Sequence, residues 1–96
     1  IAPFNFPAKI SFWFLPYAIT CGNTYIVKPS ERTPHTMQDI FQLIKRAGFP
    51  KGVINMVNGS SEAAKVILDH PNINAISFVG TTALAGHVYG RAAAHE

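Results

Sequence analysis

Tyr25-Ile26-Val27-Lys28-Pro29-Ser30-Glu31 is the segment from which the fold class can be argued. Residues 25–28 have the β-branched and aromatic composition of a buried strand, and the turn that follows is fixed by a proline. Further along, Thr36 to Ala47 carries apolar residues at a spacing of three to four, which is typical of one buried helix face. These apolar positions are Met37, Ile40, Phe41, Ile44 and Ala47. A strand, a polar turn and an amphipathic helix therefore follow one another.

The same alternation extends over the whole chain. We predict a strand end at 1–3, a helix over Ala8–Cys21, a strand over Tyr25–Lys28, a helix over Thr36–Ala47, a strand over Val53–Val57, a helix over Ser61–Leu68, a strand over Ala75–Val79 and a helix over Thr82–Ala94. Short connections between alternating strands and helices favour parallel pairing. The predicted fold class is therefore α/β, with an open, doubly wound parallel sheet.

Three polar motifs follow predicted strands directly. They are Phe4-Asn5, the segment Lys28 to Arg32, and Gly80-Thr81. Sheets of this kind bind ligands outside the carboxyl ends of their strands. The motifs are therefore expected to meet at one site, although the usual dinucleotide fingerprint G-x-G-x-x-G is absent from the sequence.

The composition argues against several classes of protein. The eight Lys and Arg residues are spread along the chain and only Lys45-Arg46 are adjacent, so the net charge of +3 does not predict nucleic-acid binding. Ile10 to Val27 lacks charged side chains, but Pro16 and Gly22 interrupt it, which favours a packed helix and a buried strand over a membrane span. The four histidines, at positions 35, 70, 87 and 95, lack metal-ligand spacing, so no metal site is predicted, and His87 is expected to be a surface or packing residue.

Cys21 is the only cysteine of the chain, which excludes an internal disulfide. A single thiol suits a reducing compartment, either the cytoplasm or the mitochondrial matrix. Because Cys21 lies at the end of an apolar helix beside Gly22, we expect a small buried thiol of ordinary reactivity. The chain also starts without Met, and neither end has the polar character usual at termini, so we expect it to be part of a larger protein.

Pro3-Phe4-Asn5-Phe6-Pro7, Lys28-Pro29-Ser30-Glu31 and Phe78-Val79-Gly80-Thr81-Thr82 together resemble the cofactor-binding region of the aldehyde dehydrogenase family. The resemblance covers essentially all 96 residues. Phe4 stands where most branches carry Trp, and with Ala2 and Arg32 it is most similar to the coenzyme-A-acylating methylmalonate-semialdehyde branch. The resemblance implies that residues 1–96 are an incomplete Rossmann-like NAD-binding domain, with the catalytic and oligomerisation segments elsewhere.

The resemblance also implies roles for particular side chains. The residues that map onto cofactor contacts are Ala2, Phe4, Lys28, Glu31, Arg32 and Thr81, with Phe4 on the nicotinamide side and Thr81 at the pyrophosphate. Asn5 maps onto the residue that donates its amide to the oxyanion formed when a cysteine thiolate attacks the aldehyde. The local sequence alone leaves other roles open: a solvated ion pair for Glu31, a helix cap for Thr81 and an Asx-turn for Asn5.

Glu31 predicts a preference between the two nicotinamide cofactors. A carboxylate after a strand and a proline-fixed turn can accept hydrogen bonds from both ribose hydroxyls of an adenosine, whereas a 2′-phosphate would meet like charge. The residue therefore favours NAD over NADP.

The reaction implied by the resemblance is aldehyde oxidation through a thiohemiacetal and a thioester on a cysteine, with NAD as the hydride acceptor. Coenzyme A then receives the acyl group, and the full-length enzyme is a homo-oligomer, either a dimer or a tetramer. The nucleophile belongs to a later segment, so Cys21 is not assigned that role and the 96-residue chain is expected not to turn over substrate. A hydrolytic aldehyde dehydrogenase of another branch and a non-catalytic nucleotide-binding module remain as alternatives.

Overall fold

The computed structural model describes residues 1–94, in which helices and short strands alternate. In chain order the elements are α1 (Lys9–Thr20), β1 (Tyr25–Val27), α2 (Pro34–Ala47), β2 (Ile54–Met56), α3 (Ser61–Asp69) and α4 (Thr82–Ala93). The predicted helices are all present, with boundaries within two residues of those expected. The alternation predicted from the sequence is therefore confirmed from α1 to α3, whereas α4 follows α3 without a regular strand between them.

The two strands β1 and β2 form a parallel pair. Tyr25 lies opposite Ile54, and Val27 lies opposite Met56. The pairing extends past β2, because the amide of Val57 donates to the carbonyl of Val27 at 2.9 Å. These contacts confirm the α/β class and the parallel pairing, which within residues 1–94 is limited to two regular strands.

The expectation of a strand end at 1–3 and of a strand over Ala75–Val79 is wrong for this structure. Isolated hydrogen bonds tie these segments to their neighbours: the amide of Ala2 donates to the carbonyl of Lys28 at 3.1 Å, and the backbone nitrogen of Ile1 donates to the carbonyl of Ser77 at 2.9 Å. A strand requires a repeated ladder, which these isolated bonds do not supply. They still place residues 1–3 beside both the end of β1 and the segment 75–79.

Helix α2 has the amphipathic pattern expected of it. Met37 is buried, whereas Ala47, predicted on the same face, is exposed because it lies in the last turn beside the end of the helix. Gly48 ends the helix in the left-handed conformation at φ 89°, and its amide donates to the carbonyl of Lys45. A non-glycine residue would be strained at that angle, which explains why the helix stops there.

The core of the described part is small. Its buried apolar side chains are Ala2, Ile10, Val27, Met37, Leu68 and Val88. Strand β1 is buried on one face only, because Ile26 is 43% exposed while Val27 is covered, so the expectation of a fully buried strand is wrong. Among residues 1–94, no helix combines the length and the apolar character that a membrane span requires.

Candidate functional site

A cleft of about 740 Å³ lies where the end of β1, the loop after residue 3 and the start of α4 come together. The residues singled out in the sequence all contribute to its lining: Ala2, Phe4, Asn5, Lys28, Glu31, Arg32 and Thr81. They come from segments more than 70 positions apart in the sequence. The three motifs therefore converge, as the parallel pairing predicts, while the role of each residue stays a prediction.

Lys28 is a buried lysine at the wall of the cleft. Its side chain is 5% exposed, and Nζ donates a 3.0 Å hydrogen bond to the carbonyl of Pro29. Desolvation lowers the pKa of Lys28, and the nearby Glu31 carboxylate opposes that shift. A cation held at a partly satisfied position can donate further hydrogen bonds to a ligand in the cleft.

Glu31 lies at the mouth of the same cleft. Its carboxylate is 4.0 Å from Lys28 Nζ and 59% exposed. At that distance and exposure an ion pair contributes little, at most about 1 kcal/mol. The carboxylate therefore keeps oxygens available to accept hydrogen bonds from hydroxyl groups of a ligand.

Arg32 does not pair with a carboxylate within residues 1–94. Its guanidinium carbon instead lies 4.9 Å from the centroid of the Phe4 ring. The backbone of the turn is held by Ser30, whose hydroxyl accepts from the Arg32 amide at 3.2 Å and whose carbonyl accepts from Thr33. The arginine charge is thus presented at the cleft without a neutralising partner among the described residues.

Thr81 caps helix α4. Its hydroxyl accepts from the amide of Leu84 at 3.4 Å, so the capping role that the local sequence allowed is present. A hydroxyl that accepts a hydrogen bond still has its own proton to donate. The amides of Thr82 and Ala83, in the first turn of α4, have no intrahelical acceptor, and such groups favour an anion.

A second helix also begins at this cleft. Helix α3 starts after Ser60, and both Ser60 and Ser61 line the cavity. Ser60 makes no side-chain cap, and Glu62 stands in the first turn of the helix. Two helix N-termini therefore face one cleft, and their partial positive charges add to those of Lys28 and Arg32.

Asn5 is exposed in the cleft, and within residues 1–94 its side chain makes no hydrogen bond. The Asx-turn that the local sequence left open is therefore not formed. The amide remains free to donate to a ligand or a reacting atom.

The structure adds lining residues that were not singled out in the sequence. Helices α3 and α4 form a mainly apolar wall of the cleft. The residues that they contribute are Ala64, Lys65, Leu68, Leu84, His87 and Val88. The pairs Ala64 with Leu68 and Leu84 with Val88 are spaced by four, so helical periodicity could have indicated each face. It could not have indicated that the two faces meet. His87, which was expected to be a surface or packing residue, is exposed and borders the cleft.

An ion pair joins the far ends of these two helices. Arg91 donates to both carboxylate oxygens of Asp69, each at 2.6 Å, across 22 positions of sequence. Such bidentate pairs fix geometry more strongly than single contacts. The pair holds α3 and α4 side by side, and thereby supports the walls of the cleft.

Cys21 does not line this cleft. It is exposed at the end of α1 and borders a separate cavity of about 450 Å³, so the expectation of a buried thiol is wrong. Helix α1 ends at Thr20, and Gly22 follows in a turn with a positive φ. Cys21 and Asn5 line different cavities.

Within residues 1–94, no group of three or more His, Cys, Asp or Glu side chains is arranged to hold a metal ion. His95, one of the four histidines, lies outside the described residues.

Comparison with known proteins identifies a family. The family model described as "Aldehyde dehydrogenase family" matches residues 1–96. Malonate-semialdehyde dehydrogenase 1 of Oceanobacillus iheyensis is 50% identical over 95 residues, which are 99% of this chain and 20% of the relative. A protein of Anopheles gambiae, provisionally named methylmalonate-semialdehyde/malonate-semialdehyde dehydrogenase [acylating], mitochondrial, is 48% identical over 96% of the chain and 18% of its own length.

A solved structure is similar over the same residues. The provisionally named methylmalonate-semialdehyde dehydrogenase of Sinorhizobium meliloti 1021, complexed with NAD, superimposes with a TM-score of 0.94 at 49% identity. The match covers 98% of this chain and 19% of that protein. The chain thus spans about a fifth of the length of the curated relatives it matches.

Proposed function

Because the chain belongs to the aldehyde dehydrogenase family, we propose that residues 1–96 are part of the NAD-binding domain of a larger dehydrogenase. The observation that carries this proposal is the convergence of Phe4-Asn5, Lys28 to Arg32 and Gly80-Thr81 on one cleft. The catalytic cysteine and the oligomerisation segments belong to parts of the protein outside this chain.

The cleft fits a dinucleotide in size and in charge. Its volume of about 740 Å³ lies within the usual range of ligand pockets. Two helix N-termini suit a diphosphate, and the apolar walls of α3 and α4 suit an aromatic base. The exposed carboxylate of Glu31 suits vicinal hydroxyls, and it would repel a phosphate at the same place. These features support NAD as the cofactor and disfavour NADP.

We assign the cofactor contacts as follows. Glu31 accepts hydrogen bonds from the adenosine ribose, and Lys28 donates to the same sugar or a phosphate. Thr81, with the free amides after it, binds the pyrophosphate, and Arg32 donates to a neighbouring anionic oxygen. Ala2 and Phe4 line the nicotinamide side. NAD, when bound, supplies the acceptor for the hydride that leaves the substrate.

Asn5 is the one residue of this chain assigned to the chemistry itself. Its free amide is positioned on the cleft and can donate to the oxyanion that develops when the cysteine thiolate attacks the aldehyde. One such donor contributes about 3 kcal/mol to transition-state stabilisation. The residue therefore lowers the barrier without forming a covalent bond.

The substrate is a small-molecule aldehyde, which we propose to be malonate or methylmalonate semialdehyde, since the most similar relatives carry these names. The acyl group would pass from the enzyme thioester to coenzyme A, as the word "acylating" in the name of the Anopheles gambiae relative suggests. We propose a homo-oligomer, either a dimer or a tetramer, in the cytoplasm or the mitochondrial matrix.

The role of Glu31 tests the cofactor assignment. In the complete protein, Glu31→Gln should weaken NAD binding about 10-fold or more, because a charged acceptor is lost, and should reduce the preference for NAD over NADP. Asp39→Asn, an exposed carboxylate on α2 away from the cleft, is the matched control and should change neither quantity. An unchanged NAD dissociation constant and NAD/NADP ratio in Glu31→Gln would refute the assignment.

The acyl acceptor is tested by product analysis. Malonate semialdehyde and NAD are supplied to the complete protein with and without coenzyme A, and the products are identified by mass spectrometry. Acyl-CoA formation supports the proposal, whereas free acid formed at the same rate in both reactions supports the hydrolytic alternative. A folded protein without measurable NAD binding would support the non-catalytic alternative.

A further inference from the structure

Phe4 and Arg32 form a contact that joins two segments of the cleft. The guanidinium carbon lies 4.9 Å from the ring centroid, and both side chains line the cavity. Phe4 belongs to the loop after residue 3, whereas Arg32 belongs to the turn after β1. The amide of Ala2 also joins the two segments, because it donates to the carbonyl of Lys28 at 3.1 Å.

The charge of Arg32 is directed by this ring and not by its neighbouring carboxylate. Glu31 is adjacent in sequence but faces Lys28 at 4.0 Å. The turn holds the Arg32 backbone through Ser30, and leaves the direction of the side chain to be set by its contact with Phe4. A cation–π contact at an exposed site favours the placement of the guanidinium over the ring by roughly 2- to 5-fold.

The guanidinium carbon of Arg32 lies over the Phe4 ring, 4.9 Å from its centroid. A cation–π contact does not consume a hydrogen-bond donor, so the N–H groups that do not face the ring are free to form a planar fork. Such a fork binds phosphate oxygens at two points. The half-exposed ring of Phe4 is therefore a support on which the arginine can be held ready for an anion.

We propose that Phe4 is a positioning residue for Arg32, and that this cation–π contact holds the guanidinium oriented toward a phosphate oxygen of the bound dinucleotide. This inference rests on the proposed function of the cleft. It adds that the loop after residue 3 and the turn after β1 contribute jointly to the affinity for the cofactor. It also assigns the aromatic ring at position 4 a task beyond lining the cavity.

A double-mutant cycle on the complete protein tests the coupling. Phe4→Leu, Arg32→Met and the double variant are compared by calorimetric NAD dissociation constants at low and at high salt. We expect Phe4→Leu to weaken binding about 2- to 5-fold, as the cation–π preference indicates, and Arg32→Met about 10-fold or more. When Arg32 is already replaced by Met, Phe4→Leu should raise the NAD dissociation constant by at most half the factor that it does in the wild-type protein.

Salt dependence and rescue distinguish positioning from a merely structural effect. Arg32→Met should reduce the salt sensitivity of NAD binding, Phe4→Leu should reduce it partly, and Phe4→Trp should restore it because a larger ring face is present. Phe12→Leu is the control, since Phe12 is an exposed ring on α1 outside the cleft lining. This variant should bind NAD normally.

Additive losses in the cycle, or tighter NAD binding in Phe4→Leu, would overturn the inference while leaving the NAD assignment intact. Wild-type protein that is folded but does not bind NAD would overturn both.

Discussion

Replacement of Lys28 by Met provides a sharp test of the cleft, because NAD binding should weaken strongly while the stability of the fold should change little. Met retains most of the buried stem and removes the ammonium group. The Lys28 side chain is 5% exposed, and its ammonium donates to the Pro29 carbonyl at 3.0 Å and lies 4.0 Å from the Glu31 carboxylate. If it also donates to NAD, the ligand loses a charge-assisted hydrogen bond.

The expected magnitude follows from these contacts. A hydrogen bond to a charged group contributes about 1.5–3 kcal/mol, which corresponds to a roughly 10- to 150-fold weaker NAD dissociation constant. The free energy of unfolding should change by no more than about 1 kcal/mol, because loss of the Pro29 bond is offset by relief of a buried charge. The first quantity is measured by calorimetry and the second by urea unfolding.

The pH dependence gives a second readout with a defined sign. Burial lowers the pKa of Lys28 in the folded protein relative to the unfolded chain. The charged lysine therefore opposes folding below its folded-state pKa, and this penalty is relieved as the pH rises through that value. The free energy of unfolding should thus increase as the pH rises through the folded-state pKa of Lys28. Over the same pH range NAD affinity should fall, because the lysine loses its positive charge. Both trends should be absent in Lys28→Met.

Lys51→Met serves as the control, since Lys51 is exposed in the turn before β2 and does not line the cleft. It should leave NAD binding and its pH dependence unchanged. If Lys28→Met binds NAD as tightly as the wild type, Lys28 makes no cofactor contact. If it instead unfolds the protein, the buried ammonium is a structural requirement.

Four other substitutions probe the remaining assignments. Asn5→Ala should lower kcat of the complete enzyme about 100-fold with little change in the NAD dissociation constant, because the donor acts on the transition state; an equal effect on both would contradict an oxyanion role. Cys21→Ser should retain full turnover, since the thiol borders a different cavity from Asn5, and loss of activity without loss of folding would contradict its exclusion as nucleophile. Ser11→Ala should be neutral or stabilising in urea unfolding, because the buried Ser11 hydroxyl has no hydrogen-bond partner within residues 1–94. Met37→Ala should cost about 2–5 kcal/mol of unfolding free energy, since Met37 is among the most completely buried side chains, and a loss below about 1 kcal/mol would show that its site is not a packed core position.

Much of the fold could be predicted because its signals are local. The spacing of Met37, Ile40 and Ile44 indicates helix α2, and Gly48 marks its end, since only the adjacent backbone decides whether φ can be positive. The composition of residues 25–28 similarly predicts a strand. The sequence did not reveal that Ile26 would be exposed or that 75–79 would lack a ladder, because both depend on which segments lie alongside.

The site shows the same division between sequence and tertiary structure. The candidate cofactor contacts Glu31, Lys28 and Thr81 could be chosen from the sequence, since they have suitable chemistry at the ends of predicted strands, and the order of those strands implied convergence. The placement of Arg32 over the Phe4 ring instead of beside Glu31, and the closure of the cleft by the walls of α3 and α4, became visible in the three-dimensional structure. The physical reason is that periodicity records the face a helix buries, whereas the partner of that face, and the direction of a long charged side chain, are set by contacts between residues distant in sequence.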